Sequence, residues 1–408
     1  MMLWFSGGCT PTPPQLTLPS LVAGTPAFRA TVEGSLNSPI ANGNKVTVLL
    51  NGEEIFPAML KAIRSALKTI TYEEYVFKRS EIGRTLIEAF AERCQAGVQV
   101  AVLLDAYGSS NLPRQYAEML RGAGCEVVED FRSIRPWTLG RNNHRTHRRI
   151  LVVDSRIGFT GGYVVGSAWK GDAQQDTHWR DTNVQVEGPV VRQLQAAFAA
   201  HWREATGALL GGEGYYPSIE TAASDAAVRA QIVSSSPLYQ NYSVFILFMQ
   251  AISAARRSID ITNPYAFLDG QLMTALIQAR QRGVSVRIIL PARLEDNVKI
   301  LVGQQGYGPL LEAGIELHEF QDSFLHAKTM VIDGIWSTIG TSNFDNRSMA
   351  INDEIQLVIY DAGVAQRMEE IFSDDLGQSC RLTLQDWRNR GVMTRFMSVL
   401  GAPFYDQL

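Results

Sequence analysis

The sequence predicts an α/β protein made of two tandem copies of one lobe. Three observations predict it. A strand–helix–strand–helix–strand rhythm opens the folded part of the chain. Landmarks of that rhythm return later, Ala62 as Ala251, Gly97 as Gly283 and His147 as His326, at separations of 189, 186 and 179 residues. Each half also carries one histidine followed two residues on by a cation and seven residues on by an aspartate. Duplication with short loop insertions explains all three, and 408 residues suit two such units better than one core.

Residues 1–40 do not read as domain. Met1–Phe5 is a brief apolar run, too short to cross a bilayer. Ser6-Gly7-Gly8-Cys9 followed by Thr-Pro-Thr-Pro-Pro resembles the end of a bacterial lipoprotein signal with a tether, which implies a lipid on Cys9 and a start further upstream. The plainer alternative is a disordered N-terminus with an incidental cysteine. The first lobe spans 44–210. Val46–Leu50 is a strand running into an Asn51-Gly52 turn, and Ile55–Leu67 repeats apolar residues at helical spacing. Ile70–Phe77 is the next strand, Ile82–Cys94 a helix and Val98–Asp105 a strand, a rhythm that predicts parallel pairing. A helix ends near Trp202, and 211–230, rich in Gly, Ser and Ala, reads as the linker. The second lobe, 231–408, repeats the pattern. At its end Val392, Met393, Phe396, Val399 and Leu400 recur at helical spacing behind Trp387, with Arg388, Arg390 and Arg395 interspersed. This reads as a helix packed on the second lobe, or else one lying on a membrane surface.

The chemistry concentrates in Leu325-His326-Ala327-Lys328-Thr329-Met330-Val331-Ile332-Asp333-Gly334. Apolar residues running into Asp-Gly predict a strand and tight hairpin, and strand alternation puts His326 and Lys328 on one face. A lysine can hold anionic phosphate oxygens while the imidazole attacks phosphorus or moves a proton. The first half matches with His147, Arg149 and Asp154, and Phe159-Thr160-Gly161-Gly162 trails it as Thr338-Ile339-Gly340-Thr341, then Ser342 and Asn343, trail the other. Asp154 and Asp333 lie an odd number of residues from the histidines, on the opposite face and at turns, so shaping the hairpin suits them at least as well as proton handling. Glu354 and Asp181 are better placed to orient the imidazoles, each on a later strand of the same lobe as its histidine. His144, His178, His201 and His318 lack counterparts and take surface or structural roles.

The doubled H-x-K-x4-D pattern with its trailing glycines resembles the phospholipase D superfamily. Within it, Asn143-x-Arg145-x-His147, Trp179-Arg180-Asp181-Thr182, Glu187-Gly188-Pro189, Thr262-Asn263-Pro264-Tyr265, Asn343-Phe344-Asp345-Asn346-Arg347-Ser348 and Asn352-Asp353-Glu354 are similar to cardiolipin synthases. The resemblance implies two lobes, each a mixed sheet flanked by helices, with one active site at a pseudo-twofold interface. It implies metal-free, cofactor-free transfer in two steps: one motif histidine forms a phosphohistidine and the other protonates the leaving alkoxide, then deprotonates the incoming alcohol. The implied residues are His147, Arg149, Asp154, His326, Lys328 and Asp333, with Asn343, Ser342, Glu354, Asp181, Gly161 and Gly162 binding or orienting. Implied partners are phosphatidylglycerol and a bacterial membrane surface, reached peripherally. The first motif departs twice, with Arg149 where lysine is expected and Val164 where the asparagine after Gly-Gly is expected. A phospholipase D-type hydrolase and a catalytically impaired lipid-binding homologue therefore stand as alternatives.

Composition narrows these. A net charge of −4 and a pI near 5.9 argue against a nucleic-acid coat. Cys9, Cys94, Cys125 and Cys380 form no C-x-x-C pair, which argues against zinc. Cys94 and Cys125 read as buried free thiols, with pairing in an oxidising compartment as the alternative.

Overall fold

The computed structural model describes residues 11–133, 143–175, 177–218, 228–265, 270–293 and 306–389. The first lobe holds β1 (Ala41–Leu50), β2 (Thr69–Glu74), β3 (Gln99–Asp105), β4 (Glu126–Phe131), β5 (Ile150–Val153), β6 (Ile157–Gly161) and β7 (Thr182–Glu187). The second holds β8 (Val228–Ser235), β9 (Ser258–Thr262), β10 (Ser285–Pro291), β11 (Glu316–Phe320), β12 (Thr329–Ile332), β13 (Trp336–Gly340), β14 (Glu354–Tyr360) and β15 (Ser379–Leu382). The first sheet is ordered β1-β7-β6-β5-β2-β3-β4 and the second β8-β14-β13-β12-β9-β10-β11-β15. Strand for strand the orders coincide, with β15 added at one edge, so the duplication extends to topology. A short antiparallel contact between β1 and β8 (Ala41 opposite Ala230, Asn44 opposite Val228) joins them.

The sheets are mixed. Only β2, β3 and β4, and likewise β9, β10 and β11, run parallel; β1 is antiparallel to β7, and β2 to β5. The expected parallel pairing of the first strand thus fails, because it closes the far side of the lobe rather than joining the βαβ units. The strands nearest the interface are buried on both faces. Leu151 and Val153 pack under the helices of the first lobe, whereas Ile150 and Val152 meet Val331, Ile339, Ile355, Leu357 and Ile359 of the second. Double burial explains why these segments are continuous apolar runs.

Four local expectations need correction. The N-terminal segment is not all tether: α1 (Pro26–Leu36), capped by Thr25, buries Phe28, Val32 and Leu36 against the second lobe's core. Residue Cys9 lies outside the described residues, as do 390–408 with the apolar stripe at Val392–Leu400. Asn51-Gly52 is not a turn but the start of α2 (Asn51–Ser65); Gly52 is required because a Cβ would sit 1.7 Å from the Trp169 carbonyl oxygen. The linker's first part is docked, with Ser155 and Thr69 donating to the carbonyls of Tyr215 and Gly214; 219–227 lie outside the described residues.

The fourth correction concerns the cysteines. Cys94, near the end of α3 (Glu81–Gln95), is disulfide-bonded to Cys125, just before β4, with Cα atoms 5.6 Å apart. No local motif signals the pair, since two parallel crossovers bring together residues separated by 31 positions. Closing a loop of that size stabilises the fold by about 2–4 kcal/mol. Paired substitution of Cys94 and Cys125 by serine should lower the stability by that amount with little effect on turnover, as measured by denaturant unfolding.

Candidate active site

The two motif histidines do not lie within the hairpin strands. Each sits in the extended approach, His147 three residues before β5 and His326 three residues before β12. That approach is held by the other lobe. The His147 backbone N–H donates to the Asp353 carbonyl (2.9 Å), and the His326 N–H to the Arg180 carbonyl (2.7 Å). Asp353 and Arg180 directly precede the two orienting carboxylates, so each imidazole meets a carboxylate across the interface. His147 Nδ1 is 2.8 Å from Glu354 Oε1, and His326 Nδ1 is 2.8 Å from Asp181 Oδ2. The carboxylates are the expected ones, but the same-lobe pairing is overturned. Sequence order suggested it; the pseudo-twofold axis exchanges the partners.

A carboxylate at Nδ1 fixes the tautomer, with Nδ1–H donating and Nε2 left with its lone pair. Arg149 places a guanidinium nitrogen 3.2 Å from His147 Nε2, and Lys328 Nζ lies 3.1 Å from both His326 ring nitrogens. Both cations also donate to the carbonyl of their own histidine. Arg149 lies 3.6 Å from Glu74, whose carboxylate accepts from the Tyr75 and Val76 N–H groups.

His147 and His326 are 8% and 7% exposed. Burial, with Arg149 and Lys328 adding to it, pushes His147 down to about 4 despite Glu354. Burial and then Lys328 push His326 down to about 3 despite Asp181. Both imidazoles are therefore neutral near pH 7. Burial brings Lys328 down to about 7 and raises Glu74 to about 8. Burial opposes ionisation of Asp181 and Glu354, yet His326 and His147 hold them below the usual carboxylate range. Lys328 acts on His147 and Arg149 on His326, so the half-sites share one field.

Asp154 and Asp333 lie at the far end of β5 and β12 from the histidines and stand apart from the reacting groups. Asp154 accepts from the N–H groups of Leu67, Lys68 and Thr69, and Asp333 from those of Arg256, Arg257 and Ser258. Both adopt positive φ in turns closed by Arg156 N–H to Val153 and Ile335 N–H to Ile332. In this geometry both carboxylates fasten a hairpin to its sheet, the structural role their turn positions suggested, and neither contacts the histidines. Gly161 and Gly162 also act at one remove: a Cβ on Gly162 would lie 2.1 Å from Asp181 Oδ1, and one on Gly161 1.9 Å from Asn183 Oδ1. Glycine lets Asp181 reach His326. Ser342 Oγ and Asn343 Oδ1 are buried without a hydrogen-bond partner among the described residues, as ligand-directed groups would be. Val164, at the equivalent of Asn343, is in the first lobe's apolar core.

Sequence reasoning missed the walls. Trp169, Trp179 and Phe324 surround His326 with ring centroids at 5.1, 5.9 and 5.9 Å, while Tyr75 lies 5.3 Å from His147. Trp169 Nε1 donates to the same Asp181 oxygen that His326 uses (2.9 Å), and Thr341 Oγ1 donates to Glu354 (2.5 Å). Trp179 belonged to a quoted motif without a role; Trp169 had no repeated counterpart to mark it.

A paired-sheet duplication, with two histidines each anchored by the opposite lobe and flanked by a cation, defines a phospholipase D-like enzyme. Residues 248–376 match the family described as "Cardiolipin synthase, PLD-like domain". Cardiolipin synthase 1 of Bacillus cereus is 32% identical over 366 residues, covering 88% of this chain and 72% of that protein. Cardiolipin synthase A of Pseudomonas putida strain GB-1 is 34% identical over 366 residues, covering 89% and 74%. The chain belongs to the cardiolipin synthase family and is an enzyme of phosphatidyltransferase or phospholipase D type. The fold also matches the crystal structure of phosphatidylserine synthase from Haemophilus influenzae Rd KW20, with a TM-score of 0.68 at 12% identity over 93% of this chain and 98% of that one. Among the described residues no helix is long and apolar enough to cross a membrane.

Proposed function

We propose that the protein transfers a phosphatidyl group from one phosphatidylglycerol molecule to another at a membrane surface, through a phosphohistidine. The observation that supports this most directly is the pair of neutral imidazoles, each with Nδ1 held by a buried carboxylate and a cation beside Nε2. The His326 Nε2 lone pair forms the N–P bond while the P–O bond to glycerol breaks, and His147 gives its Nε2 proton to the departing alkoxide. The anionic phosphodiester draws the cations onto its oxygens and favours a protonated His147. In the second step the acceptor hydroxyl loses its proton to His147, its oxygen bonds phosphorus and the N–P bond breaks. Splitting one displacement in two lowers each barrier, and the cations stabilise charge developing on phosphorus oxygens. His326 suits the covalent role because its motif is complete and three aromatic rings wall it from water.

Incubation with phosphatidylglycerol vesicles tests the reading. New cardiolipin with released glycerol supports it. Phosphatidic acid instead would make the enzyme a hydrolase, and no product would make it a lipid-binding homologue. Arg149 tests whether the first half-site works as a clamp. Arg149→Lys should keep activity, because charge beside His147 is retained. Arg149→Ala should lose about 2–4 kcal/mol of transition-state stabilisation, the scale of removing one preorganised donor. Comparing kcat for the three proteins on one lipid decides it. A lysine variant that falls as far as alanine would show that the forked guanidinium is required.

A further inference from the structure

Behind His147 lies a buried polar cluster that the transfer chemistry does not use. His201, on α5 (Val191–Thr206), is 3% exposed and bridges two carboxylates: Nδ1 is 2.7 Å from Glu73 Oε1 on β2, and Nε2 is 3.3 Å from Asp353 Oδ2. Both carboxylates belong to residues that grip the His147 segment. Glu73 accepts from the Thr146 hydroxyl (2.6 Å), and the Asp353 carbonyl accepts the His147 N–H (2.9 Å). Asp353 also immediately precedes Glu354, the carboxylate on His147 Nδ1.

At the second half-site the same problem is solved with charges reversed. There the residue before the orienting carboxylate is Arg180 of the first lobe, held by Asp375 through two bonds of 2.8 and 2.9 Å from the second lobe's helix Ala362–Gly377. A guanidinium stays charged at any working pH, whereas an imidazole does not. A neutral imidazole donates through one nitrogen only and carries no charge, so the imidazolium is the form that holds Glu73 by a hydrogen bond and Asp353 by charge as well.

We propose that His201 is a positioning residue whose imidazolium clamps Glu73 to Asp353 and so fixes His147 and Glu354 in their reactive geometry. Deprotonation frees one carboxylate and loosens the first half-site alone, leaving the Arg180–Asp375 anchor of the second intact. Besides Glu73 and Asp353, His201 faces Arg148 and the Phe131 ring (centroids 5.1 Å apart), and Asp353 is further contacted by Arg132, His144 and Ser236. Burial and Arg148 oppose the charge on His201, but the two carboxylates outweigh them and raise it above the usual histidine range. The clamp is therefore closed on the acid side of this raised value and opens as pH rises through it.

The proposal rests on His147 being an active-site histidine, and its test separates the two. With six histidines in the chain, ring-15N-labelled protein allows each imidazole to be followed by NMR. In the parent protein His201 should titrate above the ordinary value of about 6.5; titration at or below it overturns the clamp. His201→Gln should shift the His147 ring signals and leave those of His326 in place, whether or not the protein turns over any lipid. On phosphatidylglycerol vesicles, His201→Gln should lower kcat by on the order of 10²-fold with KM unchanged. The parent's loss of rate at alkaline pH should disappear from its profile. Unchanged kcat and pH profile, or an unmoved His147 signal, would refute the proposal; failure of transfer in the parent with the NMR shifts intact would refute only the assigned activity.

Discussion

Alanine at His326 or at His147 should abolish the proposed phosphatidyl transfer, with kcat expected to fall on the order of 10⁴-fold or more, the scale seen when groups that act as a unit lose one member. In the two-step scheme one imidazole carries phosphorus and the other carries the proton for both the leaving and the entering oxygen, so neither loss is covered by the remaining partner. The fold should survive, because both side chains stand at the interface rather than in the apolar clusters. The burial of Asp181 and Glu354 complicates the alanine variants, since each would lose its imidazole partner. Glutamine at either position fills most of the space and still offers a donor, so it separates loss of chemistry from loss of packing. Product analysis with phosphatidylglycerol, together with circular dichroism, checks the expectation. Near-parental turnover by the His147 variant would contradict a site shared between lobes.

The repeat made the fold legible. Once His147 and His326 were matched, the flanking glycines and helices followed, and the topological orders of the two sheets agree strand by strand. What sequence could not show was which residue meets which across the axis. Asp181 immediately precedes β7 in the same lobe as His147, and linear order offers no reason to send it to His326. The exchange arises because Arg180 pairs with Leu325, and Thr146 with Asp353, as short parallel bridges between lobes. Asp154 and Asp333 show the opposite limit. Sequence marked them as heading turns, and only the backbone N–H groups at the start of β2 and β9 reveal what they bind. The Cys94–Cys125 bond and the helix at Pro26–Leu36 were missed because each is defined by distant partners: two crossovers in one case, the second lobe's core in the other.

The crossed pairing has a consequence that separates it from any same-lobe arrangement. Glu354→Gln removes the charge beside His147 Nδ1 but keeps an oxygen able to accept from it, and the amide can rotate to donate instead. A donating amide would force the proton to Nε2, the tautomer that cannot use Nε2 as base. Removing the charge alone also withdraws the stabilisation that Glu354 gives to the imidazolium, whose formation burial already disfavours. Together these should lower kcat about 10³–10⁴-fold, the range for neutralising an orienting carboxylate, without a comparable rise in KM. Asp181→Asn should act likewise on His326, where Trp169 holds the same oxygen and limits rotation of the amide, so its effect should fall at the lower end of that range. The decisive readout is the tautomer of each histidine, seen in ring 15N shifts. Glu354→Gln should disturb Nδ1–H of His147 and spare His326, and Asp181→Asn the reverse. If Glu354→Gln instead disturbed His326, the carboxylates would be paired within lobes and the interface geometry would be wrong.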